Sequence, residues 1–259
     1  MPVDASGRVA VVTGGSSGIG AAIARELARR GWRLVLLARG EKRLREVARE
    51  VGAEYEVCDV SQRDDVERVA AAVQARHPVV GLLVNNAGIP GRGTFLSLDP
   101  ERIEQVVRTN YLGSVWCLRA FLPALEAASP ADVVNIVSVA GTVATGNAGP
   151  YSASKHAQLA FSRSVGAELA GRGIRVHAVN PGFVDTPGFP NRDRFGRSPL
   201  RRLVADPDAV ASTVVRAVER KRAEQFVPWW YRTAAIAQAV APGLLARAVR
   251  ARSTQRRPS

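Results

Sequence analysis

Short apolar runs recur along the first 180 residues, each followed by a longer stretch in which apolar side chains return every three or four positions. The runs fall at about Arg8 to Thr13, Arg33 to Ala38, Glu54 to Cys58, Val79 to Asn85, Asp132 to Ser138 and Ile174 to Asn180. Leu34-Val35-Leu36-Leu37 and Gly81-Leu82-Leu83-Val84 are apolar at nearly every position, as strands are when both faces are covered. Strand and helix in alternation predict an α/β fold: a single-domain, doubly wound parallel sheet with helices on both faces. At 259 residues one such domain accounts for residues 1-259, and no repeat, heptad run or long linker divides them. Ligands of such a sheet bind beyond the carboxyl ends of the strands. Gly14 to Gly20, Arg39, Asp59, Asn86, Ser138 and Pro181-Gly182 all follow predicted strand ends.

The first of these ends carries the strongest motif. Thr13-Gly14-Gly15-Ser16-Ser17-Gly18-Ile19-Gly20 joins the Val9 to Val12 strand directly to a helical pattern that begins at Ile19. Glycines there let the backbone turn tightly, approach a pyrophosphate and leave the positive end of the helix dipole facing it, which is Rossmann-type dinucleotide chemistry. A purely structural glycine turn is the alternative reading.

Further groups fall in order behind the turn: Asn85-Asn86-Ala87-Gly88 after the fourth run, Asn110 in the helix following Asp99-Pro100, and Ser138 after the fifth. Tyr151 and Lys155 follow in the next helix. Positions i and i+4 share a helix face, so the Tyr151 hydroxyl and the Lys155 ammonium can reach one site. With T-G-x-x-x-G-x-G, N-N-A-G and Y-x-x-x-K in this order, the stretch from Arg8 to about Thr186 resembles the short-chain dehydrogenase/reductase superfamily.

The resemblance implies an oxidoreductase that interconverts a ketone and a secondary alcohol by hydride transfer, with Tyr151 as acid/base. Lys155 would favour the phenolate and bond the nicotinamide ribose, Ser138 would donate to the substrate oxygen, and Asn110 would hold a water linking Lys155 to solvent. The alternative for Asn110 is a polar residue that bends its helix. Asp59 and Val60 match the family's adenine-contacting pair. Asn86, Ala87 and Gly88 would lie near the adenosine ribose, or Asn86 would brace the sheet. Pro181-Gly182-Phe183-Val184-Asp185-Thr186 matches P-G-x-x-x-T, with Val184 and Thr186 at the carboxamide. About twenty residues past the glycine turn, an NAD-selecting domain carries an acidic side chain, but this chain has Ala38-Arg39. A guanidinium can pair with a 2′-phosphate, so NADP(H) is the predicted cofactor, with Arg39 as selector and Ser16 and Ser17 as neutral helpers. The bland alternative makes Arg39 a solvated residue starting the Glu41 helix.

Charge refines the picture at the C-terminal end. The formal charge is +13, yet residues 1-186 hold 21 basic and 18 acidic side chains, against 15 and 5 in residues 187-259. The basic excess therefore lies outside the dinucleotide-binding core, and no nucleic-acid motif accompanies it. Residues 187-204 occupy the place of the family's substrate lid, and their arginines could steer an anionic substrate. Residues 228-259 form a basic extension in which Ile236, Val240, Leu244 and Leu245 recur at helical spacing, interrupted by Pro242-Gly243. No stretch of it reaches the ~18 apolar residues of a membrane span; it could lie on an anionic membrane, or pack on the lid or a neighbouring subunit. No signal or transit peptide is evident at Met1 to Gly7, and Cys58 and Cys117 suit free buried thiols, so a cytoplasmic protein is expected. His77, His156 and His177 are too scattered to hold a metal. The resemblance implies a homodimer or homotetramer paired through helices beginning near Pro100 and Tyr151. A sensor or scaffold that binds NADPH without turnover, or a membrane-surface binding protein, are the other classes; the presence of Asn110, Ser138, Tyr151 and Lys155 together favours an enzyme.

Overall fold

A computed structural model describes residues 7–144, 148–186 and 204–243. Its strands are β1 (Val9–Thr13), β2 (Arg33–Ala38), β3 (Glu54–Val57), β4 (Leu82–Asn85), β5 (Ala131–Ile136), β6 (Ile174–Pro181) and β7 (Glu224–Val227). They form one sheet in the order β3-β2-β1-β4-β5-β6-β7, and every pairing is parallel. The order reverses between β1 and β4, where a doubly wound sheet opens its ligand crevice. The helices are α1 (Gly18–Arg29), α2 (Glu41–Val51), α3 (Arg63–Arg76), α4 (Pro100–Val107), α5 (Gly113–Ala128), α6 (Gly149–Leu169), α7 (Pro207–Glu219) and α8 (Tyr231–Val240).

The near-continuous apolar runs are explained by two cores. Along β1, Ala10 and Val12 join Leu34, Leu36, Leu82 and Val84 in a layer packed by Ile23 and Leu27 of α1, Leu44 of α2 and Val210 and Val214 of α7. The alternate residues Val9, Val11, Val35, Leu37 and Leu83 face Val69 of α3, Phe121 and Leu125 of α5 and Leu169 of α6. Successive strand side chains point to opposite faces, so a strand with a core on each side must be apolar throughout.

Two elements depart from the sequence reading. β7 was not anticipated: Glu224-Gln225-Phe226-Val227 is a short edge strand without a continuous apolar run. The helix after Asp99 is not uniform either: a π-helical turn, Arg108–Leu112, joins α4 to α5. The segment 187–203 of the expected lid and residues 244–259 of the expected extension lie outside the described residues.

Candidate active site

The glycine turn after β1 is built around close backbone approach. Gly14 and Gly18 have φ of +67° and +53°, the left-handed region that favours glycine. A Cβ on Gly20 would stand 2.1 Å from Gly14 O and 2.5 Å from Asn86 Nδ2, so α1 can come this near the turn only as glycine. Ser17, the N-cap of α1, makes no side-chain capping bond, and the first-turn N–H groups are left to an anion. Asn86 secures the corner: its Nδ2 donates to Thr13 O at 2.9 Å and Gly14 O at 3.2 Å, and its backbone N–H donates to Thr13 Oγ1 at 2.9 Å. Its Nδ2 thus braces the sheet, one of the two readings open for Asn86, while the residue also lines the cavity beside the turn.

The turn borders a cavity of about 1020 Å³ at the carboxyl ends of the strands. Of the residues anticipated from sequence, Gly14, Ser16, Ser17, Gly18 and Ile19 line it at one end. Arg39, Asp59, Val60 and Asn86 to Gly88 line it further on, and so do Ser138, Tyr151, Lys155, Pro181, Gly182, Val184 and Thr186. Gly20 supports the turn from behind and Asn110 is fully buried beneath; neither is in the wall. Arg39 is half exposed and lies 3.9 Å from the Asp59 carboxylate, a loose pair that leaves most of the guanidinium fork unused. Asp59 closes a turn by accepting from Ser61 N–H at 2.9 Å.

Ser138 leaves the end of β5 and accepts from Ala140 N–H at 3.1 Å while donating to Pro181 O at 3.3 Å. Its side chain also shares a hydrogen bond with Tyr151. Burial pushes the tyrosine up to about 12, against the opposing pull of Ser138. Nζ of Lys155 lies 5.9 Å from the Tyr151 ring centroid. The same burial lowers Lys155 to about 7. Nζ donates to Ile136 O at 2.9 Å and to Gln158 Oε1 at 2.7 Å.

Asn110 sits in the π turn and holds the loop after β4. Its Oδ1 accepts from Ile89 N–H at 2.7 Å, and its Nδ2 donates to Ile89 O at 3.0 Å and Ser154 Oγ at 3.1 Å. Both ends of the amide are thus tied to neighbouring elements, and the residue occupies a widened helical turn.

Beyond β6, Thr186 Oγ1 donates to Val184 O at 3.4 Å. The ring of Tyr231, the first residue of α8, covers Gly182 so closely that a Cβ there would meet Cε2 at 2.0 Å. Its hydroxyl accepts from the Phe183 backbone N–H. Tyr231 and Ala234 line the cavity, so α8 is a wall of the site, whereas the sequence placed it in an appended extension. The signal missed was Gly182 itself, whose lack of a side chain admits the ring. Trp229, Ile236 and Val240 are exposed, and no helix among the described residues is long and apolar enough to cross a membrane. Cys58 and Cys117 are free and buried, and burial pushes both thiols well up, Cys58 to about 12. Among the described residues no group of His, Cys, Asp or Glu could hold a metal.

A glycine-built cradle at the switch point of a doubly wound sheet, opening into one cavity lined by a half-buried tyrosine and a buried lysine, defines a dinucleotide-dependent oxidoreductase. Residues 8–195 match the family described as short chain dehydrogenase, and the chain belongs to that family. A Streptomyces coelicolor protein named "Putative ketoacyl reductase" is 44% identical over 187 residues, 69% of this chain and 71% of the relative. Among solved structures, an actinorhodin polyketide ketoreductase variant with NADPH is 36% identical, with a TM-score of 0.78 over 88% of this chain and 97% of that one. An alcohol dehydrogenase from the archaeon Thermococcus sibiricus, complexed with 5-hydroxy-NADP, is 31% identical, with a TM-score of 0.74 over 82% and 90%.

Proposed function

We propose that the protein is an NADPH-dependent reductase that converts a ketone to a secondary alcohol, with β-ketoacyl compounds as the first class to test. The observation that carries this reading is the convergence of Ser138, Tyr151 and Lys155 on the cavity that begins at the glycine turn. The residues present fit a dinucleotide: the Gly14–Gly20 corner would take the pyrophosphate, Arg39 the 2′-phosphate, and the Pro181–Thr186 loop the nicotinamide end. When bound, NADPH supplies the hydride. Ser138 then donates a hydrogen bond to the carbonyl oxygen, and Tyr151 gives the proton that the developing alkoxide requires. A tyrosine held at about 12 is a phenol throughout the neutral range, suited to act as an acid. Lys155, which lines the cavity with one N–H left over, would orient the ribose, and Asn110 and Asn86 hold the loops around these groups. The related proteins named for ketoacyl and polyketide ketone reduction support the substrate class.

Purified protein assayed with ketones, including β-ketoacyl thioesters, should oxidise NADPH faster than NADH. NADPH binding with no turnover on any ketone would favour a cofactor sensor. Arg39→Ala tests the selector separately. A charge-assisted hydrogen bond contributes about 1.5–3 kcal/mol, so its loss should weaken NADPH roughly tenfold or more and leave NADH almost unchanged. Equal NADH and NADPH affinity in the wild type, measured by fluorescence titration, would remove Arg39 from this role.

A further inference from the structure

The Lys155 ammonium is held from inside the protein. Two of its three N–H groups are committed, to Ile136 O at the end of β5 and to Gln158 Oε1 one turn along α6, which leaves one for the cavity. Gln158 is fully buried and seven residues beyond Tyr151, on the same helix face. An ammonium only donates, so the amide must turn Oε1 toward Nζ, and Nε2 then donates to Ser114 Oγ of α5 at 2.8 Å. The backbone beneath is fastened too: Ser162 Oγ donates to Gln158 O at 2.7 Å and accepts from Asn135 Nδ2 of β5 at 2.8 Å. A long polar side chain in the interior, with every polar atom of its amide matched, implies a task beyond packing.

We propose that Gln158 is a positioning residue for Lys155: through Oε1 it holds the side chain as an ammonium and aims the remaining N–H into the cofactor cavity. The proposal deepens the reading of Lys155 given above and rests on it. Tyr151, on the same helix, is the titratable group that faces Nζ. The other elements around Nζ offer neutral groups: Ile136 O from β5, Ser114 from α5 behind the amide, and Asn110 of the π turn. Asn110 Oδ1 and Nζ would lie 3.3 and 3.8 Å from a Cβ on Gly88. Burial is what drives the ammonium toward neutrality. Among the described residues no carboxylate acts on it, so the two carbonyl-type acceptors are what favour the charged form. Ile136 O is main chain and Gln158 is the one that substitution can change.

The chain contains three lysines, Lys42, Lys155 and Lys221, so the protein labelled with ¹³C at lysine Cε gives three titrating signals, assigned by Lys42→Arg and Lys221→Arg. In Gln158→Met the Lys155 midpoint should fall by about one pH unit, the tenfold loss of ammonium expected for one hydrogen bond to a charged group. In Gln158→Glu, which keeps an acceptor and adds negative charge, the midpoint should rise. Ser114→Ala, which frees the amide to turn, should lower it by less and keeps the test available if Gln158→Met does not fold. NADPH affinity should weaken in Gln158→Met. A packing role alone would not move the midpoint in opposite directions in the two Gln158 variants. An unchanged midpoint in Gln158→Met, or, should that variant not fold, in Ser114→Ala, overturns the proposal, as does a lowered one in Gln158→Glu. Because the titration is done without cofactor, a wild type that fails to bind NADPH would sink the cofactor assignment and leave this coupling standing.

Discussion

Tyr151→Phe should bind NADPH as the wild type does and reduce ketones a hundred to ten thousand times more slowly. The substitution removes one hydroxyl from a ring that already lies among packed residues, so neither the fold nor the glycine turn has reason to change. What disappears is the positioned acid, whose loss typically costs two to four decades in rate. Ser138 would remain to polarise the carbonyl oxygen, and that is why the residual rate should stay above the uncatalysed one. Because burial holds Tyr151 at about 12, its protonation should not limit the reduction anywhere near neutrality. A fall in wild-type rate as the pH rises through the region of 7 would then belong to Lys155, which burial places there. Steady-state rates and cofactor titrations on the same preparations separate the two. Near-normal turnover in the variant would reject Tyr151 as the proton donor.

Much of this architecture was legible in the pattern of apolar residues because a parallel sheet covered on both sides makes most strand positions apolar. β2 could be read from Leu34-Val35-Leu36-Leu37 for that reason, whereas β7, Glu224-Gln225-Phe226-Val227, offers no such run. The site residues were legible for a different reason. Each follows a strand end or shares a helix face, and the topology gathers strand ends along one rim whatever lies between them. Contacts that depend on a side chain crossing from another element leave no such periodic trace. Gln158 reads as one more polar residue in α6 until Nζ of Lys155 is seen 2.7 Å away, and Tyr231 belongs to the site only because the chain returns from β7 over Gly182. The burial that raises Tyr151 has the same origin, since it too depends on what other elements bring around the ring.

The opposite ends of the same strands carry the second large effect, on stability instead of turnover. Asp132, near the start of β5, is fully buried and accepts from Arg175 Nε and Nη2 and from His177 Nε2 of β6, all at 2.8 Å; His177 Nδ1 in turn contacts Arg222 O at 2.8 Å. Asp132→Ala would leave a guanidinium and a buried ring without their common acceptor, and breaking one side of a buried ion pair costs about 3–5 kcal/mol. Against a typical total of roughly 5–15 kcal/mol, that is a large share of what keeps the domain folded. Burial alone would raise the Asp132 carboxyl, but the hydrogen bonds from His177 and Arg175 outweigh it and hold the group below its ordinary range. A depressed carboxyl contributes stability that is present above its unfolded pKa of about 3.9 and is lost as the pH falls through the lower folded value. Urea unfolding should accordingly show the full gap between wild type and Asp132→Ala at neutral pH, with the gap closing only below about pH 4. Since the cluster sits at the end of the sheet away from the cavity, the folded variant should keep its kcat. A midpoint within experimental error of wild type at neutral pH, or a loss of kcat with no loss of stability, would contradict this division between the two ends of β5.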